Sequence, residues 1–374
     1  MQPTQTIFKK LIRWSYWLIA AWYALCILAW YLTVNNKAWL SLISLTYPLA
    51  LVALIMVTIA ATFTARYTIV ISSFLVLLSY RMIDSTLPFN KKMNELQRQP
   101  NTIRIATWNV NQMGDCRVIA DSANSDRNLV FRHLKALQID VACLQDFGDY
   151  NNPQERSNYK DMFARAGFKY AYYPSDYKYD TVYGNYNYGA AIFSKWPIID
   201  SSRLRIVDGN YPEHALMATI DINGKKIKCI NFHLLSYNLQ PIATLKFKPR
   251  YNQSDASVVT TNNKLLKIAH FEAKHYQQAL LIKQTLAQEQ LPYIIACDAN
   301  AIPAMHTYQI LAKNVSDAWA KSGFGFGATY KSALPYIRID YLFGSSHIQW
   351  QRAAVLQIGR SDHYPLIADF TLRK

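Results

Sequence analysis

The chain has 374 residues, of which 51% are hydrophobic and only 17% charged. The charged share lies below the roughly 25% typical of soluble domains, which excludes a disordered or collagen-like chain and argues against a protein that is soluble throughout. Lys and Arg number 40 against 24 Asp and Glu, a net charge of +16. Such an excess favours anionic partners: nucleic acid, lipid headgroups or other phosphates. Five cysteines are too few for a disulfide scaffold.

The charge is unevenly placed, because the first hundred residues hold only two acids, Asp84 and Glu95. Trp14 to Leu32 is uncharged and apolar, close to the roughly 20 residues that a helix needs to cross a bilayer. Trp39 to Ala61 is a second such stretch with Pro48 inside it, and Tyr67 to Tyr80 is a shorter third. The third reaches a full span if Arg66 and Arg81 extend toward the interfaces. A cleaved secretory signal is the alternative for the first stretch, but that stretch is long, aromatic and followed by more apolar sequence. The expectation is a transmembrane region of two or three helices over residues 1–90, a linker over 91–101, and a second domain over 102–374. Lys9, Lys10 and Arg13 argue for a cytoplasmic N-terminus. Three spans then place the second domain outside, in the periplasm of a diderm bacterium. Arg81, Lys91, Lys92 and Arg98 pull the other way; we take an integral inner-membrane protein with its second domain outside as the expectation.

Beyond the linker, short β-like runs recur at Ile103–Val110, Val141–Asp146, Ala190–Trp196, His214–Ile222, Lys226–Leu234, Tyr293–Asn300, Arg338–Gly344, Gln349–Leu356 and Pro365–Leu372. Asp126 is placed to cap a helix over Asn128–Gln138, and Ala269, Ala273, Tyr276 and Leu280 share one helix face. Sheets with helices outside them follow. Tyr237–Asn263 is polar and long for a compact loop. Tyrosines crowd Tyr170–Tyr188, either as a stacking surface or as packing in a loop and hairpin. Cys26, Cys143, Cys229 and Cys297 read as small buried hydrophobes, and Cys116 as a loop residue.

Several β-like runs end in polar groups that apolar packing does not need. Asn109 and Asn111 follow the first, Asp146 the second, His233 another, Asp298 and Asn300 the next. Asp340 precedes a further run, and Asp362 and His363 stand near the C-terminus. Singly, each is ordinary: Asn109, Asp146 and Asp298-Ala-Asn300 suit turns, His233 suits a core, and Asp340 suits an ion pair with Arg338. Together they deliver carboxylates, amides and imidazoles to one rim of a sandwich or barrel.

Seven segments in order carry a resemblance: Thr107-Trp108-Asn109-Val110-Asn111, Cys143-Leu144-Gln145-Asp146, Tyr188-Gly189-Ala190-Ala191-Ile192-Phe193-Ser194, Asn231-Phe232-His233-Leu234, Cys297-Asp298-Ala299-Asn300 with Pro303, Arg338-Ile339-Asp340-Tyr341-Leu342-Phe343, and Ser361-Asp362-His363-Tyr364-Pro365. From about Asn101 to Lys374 the chain resembles the endonuclease/exonuclease/phosphatase superfamily, whose members include DNase I-like nucleases, abasic-site endonucleases, neutral sphingomyelinases and inositol-phosphate phosphatases. The membrane layout and the segment Gly323–Tyr330 resemble bacterial members with an N-terminal membrane region. The resemblance implies a four-layer α/β sandwich, two mostly antiparallel sheets flanked by helices, and a divalent-metal phosphoesterase. Asn109 and Asp146 would hold Mg²⁺ or Mn²⁺, hard cations that take oxygen ligands. Asp298 would deprotonate the attacking water, with Asn300 donating a hydrogen bond nearby. His363, oriented by Asp340, would contact the phosphate, as would Tyr188. His233 would donate to another phosphate oxygen or stabilise the leaving oxygen. Asp362 and Asn111 would form a second metal position or support the first.

One departure matters. The family pattern has Glu where this chain has Asp146. The side chain is shorter by roughly 1.5 Å, one C–C bond, and Mg²⁺ tolerates little beyond its carboxylate distance of about 2.0–2.1 Å. Either the strand shifts or a water bridges the gap, or the metal is lost. The expectation is therefore a membrane-anchored phosphoesterase acting on nucleic acid, phospholipid or a phosphorylated small molecule. The alternative is a non-catalytic, membrane-tethered phosphate-binding pseudoenzyme. Lys246, Lys248 and Arg250 could add phosphate contacts.

Overall fold

The computed structural model describes residues 3–32, 38–91, 98, 100–111, 126–151, 159–181, 184–207, 212–237, 257–258, 261, 263–332 and 334–373. Cys116, Tyr183, Lys246, Lys248, Arg250 and most of the 91–101 and 237–263 segments lie outside the described residues.

The uncharged N-terminal stretches are helical: α1 (Pro3–Tyr31), α2 (Ala38–Leu45), α3 (Tyr47–Thr62), α4 (Tyr67–Leu78) and α5 (Tyr80–Thr86). Ile7–Tyr31 is by itself long and apolar enough to cross a membrane. The second stretch is not one helix. It bends by 44° between α2 and α3, and Pro48 sits in the first turn of α3, where its missing N–H costs nothing. α4 and α5 meet at 65°. The bundle they form is apolar on its exterior, and hydroxyl hydrogen bonds cross its apolar interior. The Tyr16 hydroxyl bonds the Thr68 carbonyl oxygen at 3.0 Å and Ser72 Oγ at 3.1 Å; Tyr23 and Ser79 hydroxyls meet at 2.5 Å. Trp14, Leu18, Met56, Ile59, Val70 and Leu77 face outward and are exposed.

The second part builds β1 (Ile103–Asn109), α6 (Asp126–Ala136), β2 (Val141–Asn151), α7 (Tyr159–Arg165), β3 (Tyr170–Tyr172), β4 (Tyr177–Thr181), β5 (Gly184–Ser194), β6 (Ile198–Val207), β7 (Glu213–Ile222), β8 (Lys225–His233), α8 (Lys264–Thr285), β9 (Tyr293–Asp298), α9 (His306–Ala312), β10 (Ser316–Asp317), α10 (Ala318–Ser322), β11 (Asp340–Gly344), β12 (Ile348–Val355) and β13 (Leu366–Leu372). One sheet runs β12-β13-β1-β2-β5-β3, with β4 also on β5; the other runs β10-β11-β9-β8-β7-β6. Among the described residues only the β1–β2 and β8–β9 pairs are parallel. Alternation sends Ile105, Cys143 and Ile192 of the first sheet against Leu216, Cys229 and Ala296 of the second. The opposite face of the first sheet meets Val130, Leu134 and Phe163 of α6 and α7. That of the second meets Ala279, Ile282 and Leu311 of α8 and α9. Two mixed sheets flanked by helices result.

Three elements depart from the sequence pattern. β6 shows no alternation because most of it is solvent-exposed at a sheet edge. The tyrosines of 170–188 lie largely in β3, β4 and a β5 that starts at Gly184, six residues before the expected run. α8 exists, but Ala269, Ala273, Tyr276 and Leu280 are only partly buried. Its buried face carries Lys267, Phe271, Glu272, His275, Gln278 and Ile282. Polar residues are buried only where partners await them, and a periodicity scan cannot see partners.

Those partners belong to the bundle and to neighbouring loops. Glu272 Oε1 accepts from Ser41 Oγ in α2 at 3.1 Å and from the Thr307 N–H at 3.2 Å. His306 Nε2 lies 2.9 Å from the Ala29 carbonyl oxygen, and Gln309 Nε2 donates to that of Trp30 at 3.1 Å. Arg338, fully buried, donates to the Ser85 carbonyl oxygen at 2.6 Å and to Asp317 Oδ2 at 2.9 Å. It therefore pairs with Asp317 and not with Asp340. The last carbonyls of a helix lack partners within it; here side chains of the second domain supply them to α1 and α5. Around these bonds Tyr16, Tyr23, Tyr47 and Met82 pack with Ala301, Ile302, Met305, Tyr336 and Ile339. Phe89 and Asn90, at the expected linker boundary, also pack on the domain: Asn90 Nδ2 donates to the carbonyl oxygens of Ala320 and Gly323 at 3.0 and 2.9 Å. Arg338→Ala would strand the buried Asp317 carboxylate and uncap α5. We expect a loss of ~3–5 kcal/mol, measured by chemical denaturation of the detergent-solubilised protein.

Candidate active site

The strand ends converge. Cα pairing sets His233 opposite Asp298 across β8–β9 and Asp340 opposite Asp298 across β9–β11. Asp298 is fully buried at the centre. Its Oδ2 accepts from Asn109 Nδ2 at 3.0 Å and lies 3.4 Å from His233 Nε2 and 3.7 Å from His363 Nε2. Its Oδ1 accepts from the Asn300 N–H at 3.0 Å. Asn300 Nδ2 donates to the Leu234 carbonyl oxygen at 2.9 Å and lies 3.0 Å from His233 Nε2.

Asp146 arrives by an irregularity. The β2–β5 register shifts between Leu144 and Phe147, and Asp146 takes φ 49°. A bulge of this kind bends its strand and re-aims a side chain; Asp tolerates the left-handed region better than most residues. The carboxylate thereby reaches Asn109 Nδ2 at 3.2 Å and His233 Nδ1 at 2.9 Å, and accepts from the Tyr188 hydroxyl. Asn111 and Asn300 are left-handed too, at φ 43° and 47°.

His363 Nδ1 bonds Asp340 Oδ2 at 2.9 Å. The segment that carries it is clipped to the end of β1. Ser361 Oγ donates to the Asn109 carbonyl oxygen at 2.7 Å and accepts from the His363 N–H at 3.0 Å, and Trp108 Nε1 donates to the His363 carbonyl oxygen at 3.1 Å. Tyr330 sets its ring edge-on to the imidazole, 5.1 Å between centroids. Thr329 Oγ1 accepts the N–H groups of Ile339 and Asp340. Below the rim, Gln145 Nε2 donates to Thr107 Oγ1 and to Asn231 Oδ1, and Asn231 Nδ2 donates to the Leu144 and Ala191 carbonyl oxygens. This plug ties the two sheets together directly under the site.

The electrostatics follow from burial and pairing. Burial disfavours charge on His363, but Asp340 and Asp298 outweigh it and push the imidazole up to about 10. Burial likewise opposes charge on His233, and Asp146 and Asp298 raise it well above the ordinary histidine value. Burial would raise Asp146, yet His233, Tyr188 and Asn109 hold it well below the carboxylate range. Asp340 is raised by burial.

Of the ten residues proposed from sequence, Asn109, Asp146, His233, Asp298, Asn300, Asp340, His363 and Tyr188 form one connected network. The Tyr188 hydroxyl is committed to Asp146 rather than turned to an open position. Asn111 and Asp362 stand apart, bonded to each other at 3.0 Å on the exposed edge, although the Asn111 N–H also donates to Asn109 Oδ1 at 2.9 Å. Sequence reading noted Thr329 and Tyr330 only as the end of the Gly323–Tyr330 segment and gave neither a role in the site. It also missed the Asp176–His214 pair (2.6 Å), which with Glu213 lines a cleft beside Asp146 and His233. Gly189 permits that arrangement, since a Cβ there would lie 2.9 Å from the Asp176 backbone nitrogen.

The site's chemistry fits a hard divalent cation. Carboxylate oxygens of Asp146 and Asp298, from different sheets, face one point occupied only by the Asn109 amide nitrogen. A half-turn of that amide gives three oxygen donors, the set that Mg²⁺ and Mn²⁺ prefer. Asp298, Asp340 and His363 also bring ligand-type atoms within 4.8 Å of one another, but the His363–Asp340 bond engages two of them.

No curated protein matches the chain. Among solved structures, an endonuclease/exonuclease/phosphatase from Beutenbergia cavernae is 16% identical, with a TM-score of 0.53 over 72% of each chain. The catalytic domain of human Nocturnin is 18% identical over 73% of this chain and 94% of that one, with a TM-score of 0.49. A mannosyl-6-phosphatase of Bacteroides thetaiotaomicron is 15% identical over 72% of this chain and 100% of that one, with a TM-score of 0.47. The Endonuclease/Exonuclease/phosphatase family model matches residues 106–363. That span holds every residue of the network just described, and the chain belongs to this family of phosphoester hydrolases.

Proposed function

We propose that the chain is a membrane-anchored, divalent-metal-dependent phosphoesterase whose own residues activate water for attack on a phosphodiester or phosphomonoester. The observation that carries this reading is the buried Asp298, gripped by Asn109, Asn300 and His233 beside the His363–Asp340 pair. Asn109 and Asp146 would hold Mg²⁺ or Mn²⁺, which polarises a phosphoryl oxygen and offsets charge developing on it. Asp298, with both oxygens oriented, takes the proton of the attacking water. His363 Nε2 is too far from Asp298 for a hydrogen bond at 3.7 Å, so its N–H serves a phosphoryl oxygen while Asp340 maintains its charge. His233 and Asn300 donate to a second oxygen or to the leaving group. Tyr188 acts through Asp146, whose carboxylate it orients. Asn111 and Asp362 support the end of β1 or a second cation position. The tethered-binder alternative rested on the short reach of Asp146, and the bulge that brings Asp146 to Asn109 speaks against it.

The anchoring reading rests on the bundle, since apolar exteriors with internal hydroxyl bonds suit lipid. Arg13 donates to the Thr64 carbonyl oxygen, so Lys9, Lys10, Arg13 and Arg66 share the end of the bundle away from the domain. Basic residues favour the cytoplasm; the domain then lies outside, periplasmic in a diderm bacterium.

Detergent-solubilised full chain should hydrolyse bis-p-nitrophenyl phosphate only with Mg²⁺ or Mn²⁺. Asp298→Ala should lower kcat on the order of 10²–10⁴-fold; an unchanged kcat sinks the assignment. Asp146→Asn should weaken Mn²⁺ binding, followed calorimetrically, by about 10–100-fold. The alkaline limb of kcat should fall near pH 10, where His363 loses its proton. Asp340→Asn removes the leading cause of that shift and should move the limb down toward 6.5. The same raised value means that the charged imidazole's contribution to folding is fully present below about pH 6.5 and lost as pH rises through about 10.

A further inference from the structure

The apolar core of the bundle does not stop at the domain. Tyr16, Tyr23, Tyr47 and Met82 continue into Ala301 and Ile339, the residues that follow Asn300 and precede Asp340. Tyr237, Phe326, Tyr330 and Ile337 pack against the same core. Tyr330 in turn is edge-on to His363. One aromatic ring thus separates the imidazole from side chains continuous with the bundle interior. The junction also sets the domain's orientation, because His306, Glu272 and Arg338 hold the domain-side ends of α1, α2 and α5. A site held in this way cannot swing far from the bilayer surface.

The rim of the junction carries apolar groups with no apolar cover. Phe89, in the segment leaving α5, is 71% exposed and pairs edge-on with Phe324, which is 48% exposed. Leu334 is 41% exposed, two residues before the buried Tyr336 of the junction. Lys331 lies in the same segment and is also exposed. Exposed aromatic and aliphatic side chains beside a cation, continuous with a membrane bundle, are what an interface between headgroups and acyl chains accepts. A long soluble polymer would have to be threaded between this rim and the bilayer.

We infer that the substrate is a phosphoester borne by a membrane lipid, its phosphate at Asp298 and His363 and its tail left in the bilayer beside the Phe89, Phe324 and Leu334 rim. This inference rests on the membrane-anchored phosphoesterase reading above. The bond broken is the one between phosphorus and the leaving oxygen; water supplies the hydroxyl to phosphorus and a proton to that oxygen, and no redox partner is needed.

The test uses full chain in nanodiscs or mixed micelles and two chromogenic diesters that differ only in the tail, hexadecyl and methyl p-nitrophenyl phosphate, with bis-p-nitrophenyl phosphate and plasmid DNA alongside. We expect kcat/KM for the hexadecyl ester to exceed that for the methyl ester by at least about 100-fold, the partition of a few methylene groups. The rate on the hexadecyl ester should also fall as the ester is diluted in the surface at constant bulk concentration. Phe89→Asp with Leu334→Asp should reduce the hexadecyl rate about tenfold and leave the methyl rate unchanged. Equal rates on the two esters, or preferred cleavage of DNA, would overturn the lipid inference and leave the phosphoesterase standing. Hydrolysis of none of the four would overturn both.

Discussion

The site depends on satisfying the buried Asp298 carboxylate on both of its oxygens. A buried carboxylate without hydrogen-bond partners is costly. Its surroundings answer that constraint. Asn109 and the Asn300 N–H satisfy its oxygens, and two charged imidazoles stand within 3.7 Å. Those imidazoles are themselves buried and need anions, which Asp146 and Asp340 supply. The result is a chain of alternating carboxylates and imidazoles, Asp146, His233, Asp298, His363 and Asp340. A bound cation would enter this balance on the Asp146 side, opposite the His363–Asp340 pair.

The same logic of satisfied polar groups joins the bundle to the domain. Carbonyls at the ends of α1 and α5 would be orphaned against an apolar wall, and His306, Gln309 and Arg338 meet them. His306 and Gln309 stand in α9, which follows Asn300 along the chain, and Arg338 stands two residues before Asp340. The helical bundle and the domain that carries the site thus share hydrogen bonds and a common core.

Asp146 shows how a departure from a family pattern is absorbed. A shorter acid on a regular strand would fall short of Asn109. The bulge and left-handed backbone move the carboxylate into contact with Asn109, His233 and Tyr188 together. The Tyr188 hydroxyl, expected at the phosphate, instead holds the Asp146 carboxylate.

Much of this protein was legible before any coordinates. Runs such as Ile103–Val110 and Tyr293–Asn300 are apolar with polar ends, and that order named seven of the eight residues which the fold brings together, the family resemblance adding Tyr188. The uncharged stretches gave away helices, but not the bends that divide the second and third. Local pattern could not show β6, since an exposed edge strand has no buried face to alternate, nor the buried face of α8, whose Glu272, His275 and Gln278 are inside only because distant groups pair with them. It could not place Thr329, Tyr330 or Asp176, which enter the site or its border through loops, nor show that His214 at the start of β7 pairs with Asp176. The amino-acid order by itself determined the inventory of chemistry and the strands that deliver it, because side-chain type and hydrophobic period are local properties. Only the tertiary structure decided which charges neutralise which, how Asp146 reaches the site, and that the site is built against the bundle, because those depend on contacts between residues as much as 279 positions apart.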